Sequence, residues 1–171
     1  MAGDNANETS DYEVVKPPRD LRAKVRVLDE REAARFDPVK AAEEALESLS
    51  AEFDRWMGDE VQTLFDVWAK AAAEPAITAD AGDEIFRASH DIKGQASTLG
   101  FPLVGAIAGN LCYLLESVKP VREVPKTLLQ QHVDAIRAMV AERATDENRT
   151  AKALVERLAD VTDDFIAQRS G

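Results

Sequence analysis

The sequence predicts an all-α protein, an antiparallel up-and-down bundle with a four-helix core and an additional N-terminal segment. Aromatic residues make up only 6% of the 171 residues, and no segment shows the repeated alternation of apolar and polar residues that is typical of strands. Apolar residues instead recur every three or four positions, which is the spacing of one helix face. Short connections that contain proline or glycine separate these segments, and short connections favour antiparallel neighbours.

Two regions are predicted along the chain. Residues 1–37 are polar and contain the pair Pro17-Pro18, so we expect a disordered or loosely attached arm. Residues 38–171 are predicted to form the bundle. The pair Asp37-Pro38 marks its start, because a capping residue followed by proline is a typical beginning of a helix.

The first helical segment, residues 39–73, leaves two interpretations open. Its apolar residues keep a three- and four-residue spacing throughout, which predicts one helix of ~50 Å at 1.5 Å per residue. An interruption near Gly58 would instead divide it into two helices. In either case the aromatic residues of this segment are expected to pack in the core or against other helices: Phe53, Trp56, Phe65 and Trp68.

Four further helices are predicted, from residue 78 or 80 to about 99 and over about 102–118, 126–143 and 146–169. Gly100-Phe101-Pro102 is predicted to end the first of them and to start the next. The buried stripe of the helix that ends near residue 99 is predicted to be Ile85, Ala88, Ile92, Ala96 and Leu99. The small residues of the following helix, Gly105, Ala106, Ala108 and Gly109, permit a close approach of the two helices.

Composition excludes several classes of protein. The net charge of −11 argues against nucleic-acid binding, because that affinity depends on cations that neutralise phosphates. No apolar run approaches the roughly 20 residues that span a bilayer, and the polar, acidic N-terminus is no signal peptide, so we expect a cytoplasmic protein. The single cysteine, Cys112, excludes a disulfide framework and is expected to be a buried packing residue. Seven basic residues between positions 16 and 35 indicate a solvated tail or a contact with an acidic partner.

The most informative residue is His90. The apolar stripe places it on the outer face of its helix, with Arg87 three residues before it and Lys93 three residues after it. These two are the only basic residues between positions 71 and 118. Gly94, unfavourable within a helix, follows one turn after His90. Asp91 is adjacent in sequence and is therefore expected to face elsewhere.

This arrangement suits phosphoryl chemistry. A free imidazole is largely neutral near pH 7 and can act as a nucleophile. Phosphorylation would add negative charge, which Lys93 and Arg87 could offset. No residue at helical spacing from His90 could serve as the acid–base partner that hydrolysis would need. No nucleotide-binding motif is present either, so an enzyme such as a histidine kinase is not expected. The other histidine, His132, is expected to be a partly exposed structural residue.

The run His90-Asp91-Ile92-Lys93-Gly94 resembles the signature of the histidine phosphotransfer (HPt) domain, His-x-x-Lys-Gly with an apolar third position. The resemblance continues through Leu99-Gly100 and through Leu111-Cys112 and Leu115-Glu116 in the next helix. It is strong over about residues 80–118 and looser over the rest of the bundle.

The resemblance implies a role for each matching position. His90 would be phosphorylated, Lys93 would stabilise the phosphoryl group, and Gly94 would give the partner's active site access to His90. Arg87 is a second candidate for stabilising the phosphoryl group, because of its charge and its place beside His90. Gln95 and Ser97 are candidates for orienting the imidazole or the phosphate. Phe86, four residues before His90, is the candidate apolar contact for a docked partner, whereas Phe101 and Leu103 are expected to close the end of the bundle.

The resemblance also implies a phosphocarrier in a multistep two-component relay. Its partners would be receiver domains of response regulators or of a hybrid histidine kinase. No metal or other cofactor of its own is expected, because the Mg²⁺ needed for transfer would belong to the receiver. We expect a monomer. The alternatives are a receiver-binding module or a structural helical adaptor, neither of which would carry phosphate.

Overall fold

In a computed structural model of the chain, residue 29 and residues 36–170 are described, and this part of the chain contains five α-helices and no strand. The helices are α1 (Pro38–Ala73), α2 (Ala79–Gln95), α3 (Pro102–Ser117), α4 (Lys126–Ala141) and α5 (Arg149–Ser170), with a 3₁₀ turn at Val121–Glu123. The predicted helical bundle is confirmed. The chain divides into two compact units, residues 1–41 and residues 42–171. Apart from residues 29, 36 and 37, the predicted N-terminal arm lies outside the described residues.

The first helical segment is one continuous helix rather than two. The carboxylate of Asp37 accepts hydrogen bonds from the backbone N–H groups of Val39 and Lys40, at 3.0 and 3.2 Å, which satisfies two otherwise unpaired donors at the helix start. Gly58 lies within the helix without interrupting it. The sequence alone could not decide this, because a single glycine weakens a helix by only about 1 kcal/mol.

Only the C-terminal half of α1 is buried. Its buried residues begin at Met57 and continue through Val61, Leu64, Trp68 and Ala71. The expectation that Trp56 packs against another helix is therefore wrong, because 46% of this residue is exposed. Phe53 and Phe65 pack against the core while remaining partly exposed.

Helix α3 is the centre of the bundle, and it packs against α2, α4 and α5. Eight of its residues are buried, among them Ile107, Leu111 and Leu114, which have no exposed surface. Leu103, which is one of these eight, and Phe101, which directly precedes the helix, are buried at its start. The small residues of α3 permit the predicted close approach to α2: a Cβ built on Gly105 would lie 3.2 Å from the Cβ of Ala96.

The connection between α2 and α3 ends the first helix and starts the second, as the sequence predicts. Gly100 has a φ of +89°, a left-handed conformation that glycine adopts without strain. The backbone N–H of Phe101 donates to the carbonyl of Ala96 at 2.7 Å, and Pro102 then occupies the first position of α3. The chain thereby reverses direction within a few residues.

Contacts between α1 and α4 show that these helices are antiparallel. Trp68 donates from Nε1 to Oε1 of Gln130 at 2.6 Å, and the Arg137 guanidinium lies 3.9 Å from the centre of the Phe65 ring. Just after α4, Arg143 bonds the carboxylate of Asp54. Successive contacts involve lower residue numbers in α1 and higher residue numbers in and after α4, as expected for two antiparallel helices.

His132 is completely buried, which corrects the expectation of partial exposure. Its Nδ1 lies 2.8 Å from the carbonyl oxygen of Leu128, and its Nε2 lies 2.9 Å from Oδ1 of Asn110 and 3.4 Å from Oγ1 of Thr162. These partners make His132 a polar link between α3, α4 and α5. Burial lowers the pKa of this imidazole, and the hydrogen bond to Leu128 opposes that shift.

The buried His132 predicts a loss of stability in acid. The unfolded chain binds a proton on this residue below its ordinary pKa of 6.5, whereas the folded chain binds it only at lower pH. Stability is therefore retained above pH 6.5 and falls as the pH decreases below it, by at most about 1.4 kcal/mol per pH unit. Urea unfolding at a series of pH values should show a smaller decrease for His132→Gln than for the wild type.

The matched control is His90→Gln, which removes the exposed histidine and leaves the buried His132 in place, so the decrease that His132 causes should persist. Equal pH dependence for His132→Gln and the wild type would contradict the assignment of a neutral, buried His132.

Candidate functional site

Helix α2 holds His90 on its outer face. The helix is capped by Thr78, whose hydroxyl accepts from the backbone N–H of Ala81 at 3.2 Å. All five residues of the predicted stripe are buried: Ile85, Ala88, Ile92, Ala96 and Leu99. Because that face is fixed against the core, the His90 side chain points outward and is 63% exposed.

A surface hollow of about 360 Å³ surrounds His90, and we call it the His90 hollow. Six other residues line it: Phe86, Arg87, Asp91, Lys93, Cys112 and Glu116. The structure thus brings together the four predicted residues Phe86, Arg87, His90 and Lys93. Two cations and two carboxylates lie around the imidazole, so the hollow is not the purely basic site that the local sequence indicated.

Asp91 faces the imidazole, which corrects the expectation that it points elsewhere. One of its carboxylate oxygens lies 4.0 Å from Nδ1 of His90, and both side chains are largely exposed. Adjacent helix positions are separated by about 100°, but two exposed side chains can bend toward each other across that angle. The contact with Asp91 is made by Nδ1, and the other ring nitrogen, Nε2, takes no part in it.

The stem of Lys93 lies against α3 at Gly109. A Cβ built on Gly109 would lie 3.7 Å from both Cδ and Cε of Lys93, so the stem of the lysine runs across the surface of α3 at this glycine. Burying the stem while the ammonium stays in water is common for lysine. This contact restricts Lys93 to the side of α2 that carries His90.

Phe86 forms the apolar wall of the site. Its ring stacks on the imidazole of His90, with the ring centres 6.0 Å apart and an angle of 28° between the planes. Phe86 also lines a second, larger groove with Ile77, Leu115 and Val121. The aromatic ring therefore restricts the imidazole on one side and connects the His90 hollow with an apolar surface.

Cys112 is buried, as predicted, and its Sγ lies 4.0 Å from the backbone carbonyl of Phe86. Burial raises the pKa of this thiol to about 11; the charge of Lys93 acts to lower the pKa, and that of Glu116 acts to raise it. At neutral pH the residue is therefore a thiol. It is a packing residue at the base of the site and not a second nucleophile.

The remaining predicted residues lie outside the His90 hollow. Gln95 donates from Nε2 to Oε1 of Glu60 on α1 at 3.4 Å, and Ser97 is exposed in the turn that follows α2. Gly94 is exposed, and a Cβ built on it would have no atom within 4 Å. The fold does not need glycine at this position to avoid a collision.

Sequence reasoning missed Asp91, Glu116 and Gly109 as parts of the site. Glu116 and Gly109 belong to α3, so only the register of α2 on α3 reveals their position. The chain reversal at Gly100 could have been used to predict which residues of α2 and α3 are neighbours. An antiparallel pair of helices joined at Gly100 places Gly105 near Ala96 and Gly109 near Lys93. Extending the same register places Cys112 and Glu116 beside Phe86 and Arg87.

The described part of the chain contains neither a cluster of metal ligands nor a helix that could span a membrane. Residues 36–170 contain no group of three or more histidine, cysteine or acidic residues that could hold a metal ion. In the same part of the chain, no helix combines the length and the apolar character that crossing a membrane requires.

Comparison with known families identifies the class of protein. The family model of the Hpt domain matches residues 39–146, more than half of the chain, and the chain therefore belongs to the Hpt domain family. Comparisons with curated proteins and with solved structures found no match. Hpt domains are helical phosphocarriers rather than kinases, and they interact with receiver domains in two-component phosphorelays.

The environment of Cys112 predicts that its thiol reacts slowly with thiol-disulfide reagents. With a pKa of about 11, on the order of one molecule in a thousand carries the thiolate at pH 8, and burial restricts access further. A thiol-disulfide reagent should therefore react many times more slowly with the native chain than with the chain in urea. Rapid, stoichiometric reaction of the native chain would contradict the burial of this residue.

Proposed function

We propose that this chain carries a phosphoryl group on His90, which it accepts from the phosphorylated aspartate of one receiver domain and passes to the aspartate of another. The observation that carries the proposal is the exposed imidazole of His90, held between two cations on a helix whose opposite face is fixed in the core. Family membership supports the relay in general.

The proposed reaction is a reversible displacement at phosphorus. The lone pair of Nε2 attacks the phosphorus atom, the P–N bond forms, and the bond between phosphorus and the aspartyl oxygen breaks to release the carboxylate. The proton stays on Nδ1, where the Asp91 carboxylate, 4.0 Å away, stabilises the positive charge that develops on the ring. Transfer to the second receiver reverses these steps.

Positive charge near the transferred group would stabilise the transition state and the phosphorylated form. Lys93 is the better placed cation, because its stem is supported by Gly109 and its charge lies in the His90 hollow. The Nε of Arg87 donates to the backbone carbonyl of Asp83 at 3.3 Å, and the Arg87 side chain also lines the His90 hollow. Both can meet the acidic pocket of a docked receiver.

The docking surface would comprise the His90 hollow and the apolar surface beyond Phe86. Gly94 would leave space for the rim of the partner's active site. The Mg²⁺ that supports transfer would be bound by the receiver. Gln95 and Ser97 would contribute only if docking moved them, since they lie outside the hollow.

The first test is the substitution His90→Gln, which should abolish phosphorylation while leaving the fold intact, because the side chain is exposed. The measurement is transfer of labelled phosphate from a phosphorylated receiver domain, with circular dichroism as the check on folding. His132 cannot substitute, since it is fully buried. Undiminished labelling of a folded His90→Gln chain would reject the assignment. Normal receiver binding by a wild-type chain that never accepts phosphate would instead identify a receiver-binding adaptor.

The second test separates access from stability at Gly94. Gly94→Leu should slow transfer at least tenfold, ~1.4 kcal/mol in activation free energy, because the new side chain obstructs the approach of the receiver. Gly58→Leu is the matched control: it is also a helical glycine whose Cβ would meet no atom within 4 Å, but it lies on α1. Both variants should unfold at similar temperatures. Equal transfer rates for the two variants would contradict the steric role of Gly94.

A further inference from the structure

The charged side chains that line the His90 hollow are balanced before any phosphoryl group arrives. They are two cations, Arg87 and Lys93, and two carboxylates, Asp91 and Glu116. Asp91 lies 4.0 Å from Nδ1 of the imidazole, where it favours a proton on that nitrogen. Phosphorylation would add about 1.5 to 2 negative charges to this balanced hollow. The proposed chemistry gives Glu116 no role, although its charge lies in the same hollow.

Glu116 belongs to the stripe of α3 that faces α2. Gly109, Cys112 and Glu116 are three and four positions apart, so they share one face of the helix. A Cβ built on Gly109 would lie 3.7 Å from the stem of Lys93. One turn further along α3, Sγ of Cys112 lies 4.0 Å from the carbonyl oxygen of Phe86. Glu116 is the next residue of this stripe, and it is exposed.

The charge of Glu116 is not neutralised by a direct partner. Within residues 36–170, no ion pair joins Glu116 to a basic side chain. Gly109, where the stem of Lys93 lies, is seven residues earlier, ~10 Å along the axis of α3. Burial is the main cause of the raised pKa of the Cys112 thiol, and the charge of Glu116 adds to it. The carboxylate therefore acts on groups inside the hollow.

The antiparallel packing of α2 and α3 turns His90 and Glu116 toward each other. Side chains on an α-helix lean toward the N-terminus of their own helix. The His90 ring accordingly stacks on Phe86, about one turn earlier on α2. On α3 the N-terminal direction leads from Glu116 toward Cys112, whose thiol lies beside the backbone of Phe86. Both side chains thus extend into one hollow of about 360 Å³.

We propose that Glu116 destabilises the phosphorylated form of His90 and thereby increases the tendency of the chain to donate its phosphoryl group. This inference rests on the proposed phosphoryl chemistry and deepens it. The carboxylate repels the phosphoryl group, whereas Lys93 attracts it. Before transfer, the neutral imidazole carries no charge for the carboxylate to repel, so the effect falls on the phosphorylated form alone. Glu116 acts through its charge, and none of its bonds forms or breaks.

The equilibrium of transfer separates this role from an effect on docking. A carboxylate that only repelled the acidic pocket of a receiver would slow transfer in both directions and leave the equilibrium unchanged. The equilibrium ratio depends only on the free energies of the separate phosphorylated and unphosphorylated proteins. A change in that ratio therefore reports on phosphorylated His90 itself.

The experiment follows labelled phosphate between the full chain and a receiver domain until the ratio of label on the two proteins is constant. Proteins are diluted until this ratio no longer depends on concentration. In about 20 mM salt, Glu116→Gln should raise the share of label on the chain about threefold, and Glu116→Lys about tenfold. In about 500 mM NaCl, screening should reduce both increases to less than about twofold. Circular dichroism checks that the variants are folded.

The matched control changes an equal charge outside the hollow. Glu156 is exposed on α5 and does not line the hollow. Glu156→Gln and Glu156→Lys should therefore leave the equilibrium ratio within about 1.5-fold of the wild-type value at both salt concentrations.

Three results would overturn the proposal. The first is an unchanged or lower share of label on Glu116→Gln, even if its transfer is faster. The second is an equal increase for Glu156→Gln. The third is an increase that persists undiminished in high salt, because a charge effect must be screened. A wild-type chain that accepts no phosphoryl group on His90 would reject the proposed function together with this inference, whereas a phosphorylated His90 with an unchanged ratio rejects this inference alone.

Discussion

The close packing of α2 on α3 is the constraint on which the rest of the structure depends. Gly105 allows the closest approach, because a Cβ built on it would lie 3.2 Å from the Cβ of Ala96, and the stem of Lys93 lies against α3 at Gly109. Larger residues would separate the helices and move the base of the site away from His90. The same contact buries the stripe of α2 and thereby turns His90 toward solvent. The burial of the apolar face of α2 and the exposure of His90 therefore both result from the packing of α2 on α3.

The two histidines differ in burial, and this difference gives one a structural role and leaves the other accessible for chemistry. His132 is enclosed by α3, α4 and α5, its ring nitrogens are engaged, and burial lowers its pKa, so it serves as a neutral polar link. His90 is exposed, with carboxylates and cations around it and an aromatic ring against its face. Cys112 lies below the same hollow but stays protonated because burial raises its pKa. Of the imidazole of His90 and the thiol of Cys112, only the imidazole is therefore accessible as a nucleophile.

Much of this could be predicted from the sequence, because helical periodicity reports which face is apolar. It located the buried stripe of α2, the outward direction of His90 and the reversal at Gly100. Periodicity does not report what covers an apolar face, and for this reason the exposure of Leu46 and Trp56 was not foreseen. Nor does it show which residues of other helices meet, so the burial of His132 against Asn110 and Thr162 and the place of Glu116 in the site required the register of the packed helices.

The central claim is that His90 is the residue that carries phosphate. It is tested most directly by phosphorylating the wild-type chain from a receiver domain and locating the modification by mass spectrometry under alkaline conditions, which preserve a P–N bond. The account predicts a single phosphoryl group on the imidazole of His90, lost on brief acid treatment. A phosphoryl group found on a serine, threonine or carboxylate side chain, or on no residue of the chain, would contradict it.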